Sequence, residues 1–238
     1  MSSTNRGSKR SPADNYETPS WCVHRLLEAV PLPGGRWLEP CAGNGAIIEA
    51  VNELRSDIIW HANELREECG PDLKALTEQV ELGDFFSAKI SGSYDVIITN
   101  PPFRLAQQFV SKCMEHSDIV VMLLRVNFIG SAKRATFMRE HAPDVHTLPN
   151  RPSFIGGGKT DSPEYGWFIF HGQELRSSGV LSVLDITPSS IRKAAHAVLE
   201  ERRILRIPKL EGETQLLDPG IPPLIKETLQ RVDNSLPP

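Results

Sequence analysis

Tyr94-Asp95-Val96-Ile97-Ile98-Thr99-Asn100-Pro101-Pro102-Phe103 is an apolar, β-branched run that stops at two prolines. It reads as a buried strand delivering its last residue to a loop. Proline has a fixed φ and no backbone N–H. The Asn100 side-chain carbonyl and the Pro101 backbone carbonyl can therefore be aimed together at one amino group without competing donors. The target that fits is an exocyclic amine, a poor nucleophile because its lone pair is conjugated into a ring. Two acceptors that grip its hydrogens favour the tetrahedral geometry that attack requires. Phe103 then offers a face on which a planar base can stack. A plain strand-ending turn is the bland alternative; the aromatic that follows and a pattern upstream favour a site.

That pattern is Arg36-Trp37-Leu38-Glu39-Pro40-Cys41-Ala42-Gly43-Asn44-Gly45, followed by the helix-like Ala46 to Val51. Gly43 and Gly45 after a short strand permit a sharp turn and a close backbone approach to a ligand. The third glycine of a dinucleotide fingerprint and the Gly-Lys-Ser/Thr of a phosphate loop are both missing, so NAD and ATP fit poorly. Glu39 suits a cationic ligand better than a pyrophosphate. A second strand, Ile58 to Glu64, ends in a carboxylate where a ribose-gripping acid falls in an α/β nucleotide site. A third, Val80 to Gly83, delivers Asp84-Phe85, an acceptor for an adenine amine beside an apolar wall.

In that order, Glu-Pro-x-x-Gly-x-Gly, the strand-end acid, Gly-Asp-Phe and Asn-Pro-Pro-Phe resemble the class I S-adenosylmethionine-dependent methyltransferases, specifically those that modify N6 of adenine in DNA. The segment Tyr16-Glu17-Thr18-Pro19 is similar to the Tyr-x-Thr-Pro that helps close the methionine end of the cofactor pocket in that family. The resemblance covers residues 14 to 171 and follows the γ motif order, without room for the large recognition domain usual there. It implies a Rossmann-like class I methyltransferase fold of the α/β class, a mostly parallel seven-stranded sheet with helices on both faces. It also implies catalytic Asn100, Pro101, Pro102 and Phe103. The cofactor site it implies comprises Tyr16, Thr18, Glu39, Pro40, Cys41, Gly43, Gly45, Glu64, Asp84, Phe85 and Asn100.

The remaining chain alternates as a doubly wound sheet should. A helix runs through Cys113, a strand over Ile119 to Leu124, a helix from Ala132 to His141, a short strand from Val145 to Leu148, and a last strand over Tyr165 to Phe170. Between the last two lies Asn150-Arg151-Pro152-Ser153-Phe154-Ile155-Gly156-Gly157-Gly158-Lys159. An exposed aromatic on a mobile, basic, glycine-rich loop would give an extruded base a second stacking surface, with Arg151 and Lys159 beside it. A ring that plugs the core is the alternative. This Arg-Pro-x-Phe segment also resembles the base-contacting region of small phage and prophage adenine methyltransferases.

At 238 residues the chain suffices for one α/β domain with a modest extension. A polar tail is expected over residues 1–13, the methyltransferase domain over 14–186 with its DNA-contacting loop near 150–163, and a helix with a Pro-rich tail over 187–238. The helix reads from Pro188 to Arg203, either packed on the sheet or presenting its bases to DNA. Net charge is −4, but unevenly placed: eleven acids against three bases from Glu39 to Asp84, six bases against two acids from Arg125 to Lys159. A duplex could approach the second stretch. Four cysteines without Cys-x-x-Cys spacing and scattered histidines predict reduced thiols and no metal. No apolar run reaches membrane-span length, and a cytoplasmic, bacterial or phage-encoded protein is expected. The reading is a methyl transfer from S-adenosylmethionine to adenine N6 in DNA. RNA base amino-methyltransferases, protein glutamine methyltransferases and a non-catalytic nucleic-acid-binding subunit of a modification complex are the rivals. Oligomeric state stays open.

Overall fold

The computed structural model of the chain describes residues 16–88, 90–154, 162–172 and 179–205. Lys159, the glycine run 156–158, the expected tail over 1–13 and the Pro-rich remainder from Pro219 lie outside the described residues. The chain divides between Arg203 and Ile204 into two units, and the sheet belongs to the first.

Eight strands form that sheet: β1 Gly35–Glu39, β2 Ile58–Glu64, β3 Gln79–Leu82, β4 Val96–Thr99, β5 Ile119–Arg125, β6 Asp144–Thr147, β7 Tyr165–His171 and β8 Leu181–Val183. Their order is β3-β2-β1-β4-β5-β7-β6-β8. β7 pairs antiparallel with both β5 and β6, and every other pair is parallel. Seven strands therefore run one way and β7 the other. β8 corrects the expectation of seven strands ending at β7. It is three residues long and bonded to one neighbour, too short for an alternating pattern to stand out.

Val96–Thr99 and Val120–Leu124 are wholly buried because both faces of the sheet are covered, which is why they read as unbroken apolar runs. Alternate residues enter opposite cores: Trp37, Ile98 and Val121 on one side, Leu38, Ile97 and Val120 on the other. The first core takes the buried faces of α1 (Ser20–Ala29), α2 (Ala46–Asn52) and α3 (Gly70–Leu76). The second takes α4 (Ala106–Cys113) and half-buried Phe137 and Met138 of α5 (Ala135–Glu140). Each fully buried large side chain contributes about 1.5–3 kcal/mol relative to exposure.

α1 buries Trp21, Cys22, Val23 and Leu26, and it stops at Val30, whose backbone is extended before Pro31. Trp167 Nε1 donates to the Cys22 carbonyl at 2.8 Å, pinning this helix to β7. The segment just before α1 is thereby held over the sheet. α6 (Ser189–Leu205) starts where the sequence places it; Ala195 packs against the first core and Arg202 pairs with Glu49 of α2. Among the described residues no helix is long and apolar enough to cross a membrane, no His/Cys/Asp/Glu group could hold a metal, and all four cysteines are free.

Candidate active site

After β1 the chain builds outward to β2 and β3, then returns to lay β4 on the other side of β1. The loops leaving β1 and β4 part at this reversal, and ligands of open α/β sheets bind in the crevice so formed. Glu39, Glu64 and Arg125 are the last residues of β1, β2 and β5, and Asn100 directly follows β4.

The turn after β1 needs its glycines. Gly45 has φ 87°, and a Cβ there would lie 2.2 Å from Leu76 Cδ1 of α3. Gly43, at φ 56°, donates its N–H to Glu64 Oε2 at 2.7 Å. Glu64 Oε1 accepts from the Arg66 backbone N–H at 3.1 Å and from its Nε at 2.8 Å. The acid expected to grip a ribose thus also holds the glycine turn still.

Glu39 is only 2% exposed, and its Oε2 has no hydrogen-bond partner. Burial foremost, and then the neighbouring Glu64, push its carboxyl well above the usual carboxylate range; the Ile48 backbone N–H offsets part of this. Burial likewise raises the Cys41 thiol, so Cys41 is a protonated wall of the turn rather than a nucleophile.

The Tyr16-Glu17-Thr18 segment straps both loops. Asn100 Nδ2 donates to the Tyr16 carbonyl at 3.3 Å and to Thr18 Oγ1 at 3.2 Å. Asn44 Nδ2, in the glycine turn, donates to Glu17 Oε1 at 2.8 Å. A backbone carbonyl can only accept, so the Asn100 amide nitrogen must face the strap and Oδ1 must face away from it. Pro101 is buried behind this residue and Pro102 is exposed.

Four aromatic rings gather beside Asn100. Phe103 lies 6.4 Å from Tyr16, nearly parallel at 27°, and 5.6 Å from Tyr165. Phe154 meets Tyr16 edge-on at 5.7 Å and Tyr165 at 5.0 Å. The exposed ring expected at Phe154 is therefore a buried one, 7% exposed. An aromatic side chain has 150–250 Å² to bury, and the strap and β7 give it somewhere to do so. Arg151, on the same segment, is exposed and paired with Glu164 at 2.5 Å.

At the end of β3, Asp84 is exposed and accepts from the Phe86 N–H at 3.1 Å and the Ser87 hydroxyl at 3.2 Å. Phe85 is buried, parallel to Phe109 at 5.3 Å, with Lys112 Nζ 4.7 Å from its ring centre. Its neighbour Phe86 carries the exposed face. Leu65, 68% exposed directly after Glu64, is a second apolar surface at the crevice that sequence reading passed over. A lone leucine in a charged stretch gave no signal. Glu17 and Asn44 were missed for a different reason, since only the fold brings them together. Cavities of about 630 Å³ (lined by Arg36, Tyr94 and His116) and about 510 Å³ (lined by Arg55, Trp60 and Thr77) lie elsewhere, toward the amino ends of the strands.

No protein-family model matches the chain, and no curated protein sequence matches it. Solved structures do. A Pyrococcus horikoshii protein, named for a suggested RNA methyltransferase activity, matches with a TM-score of 0.55 at 20% identity, over 71% of this chain and 94% of its own. A Listeria monocytogenes protein, named for a suggested class I S-adenosylmethionine-dependent methyltransferase activity, matches with a TM-score of 0.52 at 15% identity, over 81% of this chain and 73% of its own. The fold is that of the class I methyltransferases. At such identities the likeness is one of fold, and the chemistry rests on the site.

Proposed function

We propose that the chain transfers a methyl group from S-adenosylmethionine to the N6 amine of adenine in DNA. The observation that carries this reading is the fixed Asn100 amide, whose nitrogen is engaged by Tyr16 and Thr18 and whose oxygen is turned away from them. An acceptor so oriented, next to the Pro101 carbonyl and Phe103, matches what a conjugated amine needs.

The residues present suit S-adenosylmethionine. Glu39 buries an unpartnered carboxylate oxygen that a ligand ammonium would satisfy. Glu64, already accepting three hydrogen bonds, two on Oε1 and one on Oε2, retains a lone pair on Oε2 for a ribose hydroxyl. Leu65 and Phe86 offer apolar faces to an adenine, and Asp84 an acceptor for its amine. Bound there, S-adenosylmethionine would supply an electrophilic methyl group on a sulfonium. The protein's part is orientation and desolvation: Phe103 stacks on the target base, and Asn100 Oδ1 with the Pro101 carbonyl holds its amine hydrogens as the nitrogen becomes tetrahedral. Because a sulfonium would depart as a neutral thioether, no side chain of the site is needed to stabilise a leaving anion.

Asn100→Ala should cut turnover by at least about a hundredfold, the scale of losing one aligned transition-state partner, a loss far larger than the modest rise in the Kd for S-adenosylhomocysteine from freeing the strap. Labelled-methyl transfer is measured onto DNA and onto DNA carrying 2-aminopurine in place of adenine. Equal transfer to both substrates would mean that N6 is not the acceptor. RNA of the same sequence is the second substrate to test, because the Pyrococcus horikoshii protein of the same fold is named for RNA.

A further inference from the structure

A helix on a protein surface ordinarily turns its apolar stripe inward and its charges outward. α6 departs from this pattern. Its half-buried stripe runs through Arg192, Ala195, His196, Leu199, Glu200 and Arg202, four of them ionisable. Ala195 packs against the first core, Arg192 Nε donates to the Thr187 carbonyl at 3.1 Å, and Arg202 pairs with Glu49. His196 Nδ1 and Glu200 Oε2 are sealed from water without a hydrogen-bond partner.

The opposite face carries the apolar groups that the inner one lacks. Ile191 and Val198 are each 47% exposed, with Ala194 and Ala197 exposed between them. Apolar side chains scattered singly over a surface need no explanation, but these recur with the helical period and form one strip. Two charges share the face, Lys193 and, eight residues on and about 12 Å along the axis, Glu201. Among the described residues, neither makes a hydrogen bond or an ion pair.

We infer that this face of α6 is an interface between two copies of the chain, the two helices packed antiparallel about a two-fold axis. Charge decides both the occupant and the direction. A face with a cation toward one end and an anion toward the other complements itself when a copy runs the opposite way, which brings Lys193 of each copy to Glu201 of the other. Parallel pairing would set like charges side by side. Ala194 and Ala197 let the axes approach to the roughly 8–10 Å of ordinary helix packing, and Ile191 and Val198 lose their exposure at the flank. A nucleic acid would meet repulsion from Glu201 and gain nothing from the apolar strip. No residue placed in the site around Asn100 and the glycine turn lies on α6, so the pairing is separable from the proposed reaction.

The test is sedimentation equilibrium of the full chain at several concentrations, for the wild type, Lys193→Glu, Glu201→Lys and the double exchange. The contact is a modest one, so the wild type should show a monomer–dimer equilibrium with a Kd on the order of micromolar to tens of micromolar. Each single reversal replaces an attraction by a repulsion, and the two-fold axis repeats it, so the Kd should rise at least about tenfold. The double exchange restores opposite charges across the axis and should return the Kd to within about threefold of the wild type. That rescue is a readout that misfolding could not produce. A wild type that stays monomeric up to about 200 μM overturns the proposal and leaves the face to another partner. A dimer indifferent to both single reversals places the contact elsewhere and overturns it too, and a double exchange no better than the singles rules out antiparallel pairing and does the same.

Discussion

A carboxyl with one oxygen sealed from water and from every donor prefers to keep its proton, and Glu39 is such a carboxyl. Below the ordinary value of 4.5, folded and unfolded chains both hold that proton and there is no penalty. As pH rises from there through the elevated folded-state value, the unfolded chain ionises freely while the folded one resists, so the ligand-free protein should lose stability. Urea unfolding of wild type and Glu39→Gln across this window checks the sign: the gap between them should move in favour of the variant with pH, and a constant gap would contradict it. A ligand ammonium inverts the preference. The affinity for S-adenosylhomocysteine should therefore rise with pH above the ordinary carboxylate value in the wild type and stay flat in Glu39→Gln. Glu64 acts differently, because both its oxygens are engaged by Gly43 and Arg66. Glu64→Ala should weaken S-adenosylhomocysteine by about 1–3 kcal/mol, from lost hydroxyl contacts and a loosened turn together. Calorimetry decides this, and DNA binding without the cofactor should hardly change.

Among the elements, the β1–α2 turn is the least tolerant of change. Gly45→Ala forces a left-handed φ on alanine and drives its Cβ into Leu76, so a loss of roughly 1–3 kcal/mol in stability is expected, together with weaker cofactor binding. An unaltered melting temperature would mean that α3 yields readily. Phe154→Ala should cost about 3–5 kcal/mol, the price of an aromatic cavity, because its ring is wedged between the strap and β7. A variant that melts like wild type would restore Phe154 as a surface ring. These two positions also show what could be read beforehand. Gly43, Gly45, Glu64 and Asn100 were legible because each sits at the end of a local pattern, a strand followed by a turn of restricted chemistry. Phe154 was not, because its neighbours Tyr16 and Tyr165 come from distant parts of the chain and a glycine-rich context imitates exposure. The strap was half legible: Tyr16 and Thr18 stood out by resemblance, while Glu17, which ties it to Asn44, looked like filler. β8 escaped because an edge strand of three residues leaves no periodic trace.

At the scale of the whole molecule, the strap, the glycine turn and the Asn100 loop form one hydrogen-bonded unit pinned through α1 to β7. A ligand gripped by that unit should stabilise the entire first unit of the chain. S-adenosylhomocysteine at a hundred times its Kd should add about 2.7 kcal/mol, a rise of roughly 5–10 °C in melting temperature. No shift in a thermal denaturation scan would count against this cofactor. The reversed direction of β7 has a further consequence. β6 runs toward the crevice rim and β7 starts from it, so the connection from Thr147 to Tyr165 leaves and rejoins the sheet on the same side. Both anchors are fixed by strand pairing, and the entropy of closing a loop grows only with the logarithm of its length. Sequence could thus be inserted between Phe154 and Tyr165 at small thermodynamic cost, so long as Phe154 keeps its place against Tyr16 and Tyr165, without moving Asn100 or the glycine turn. That makes this connection the natural graft point for an added element.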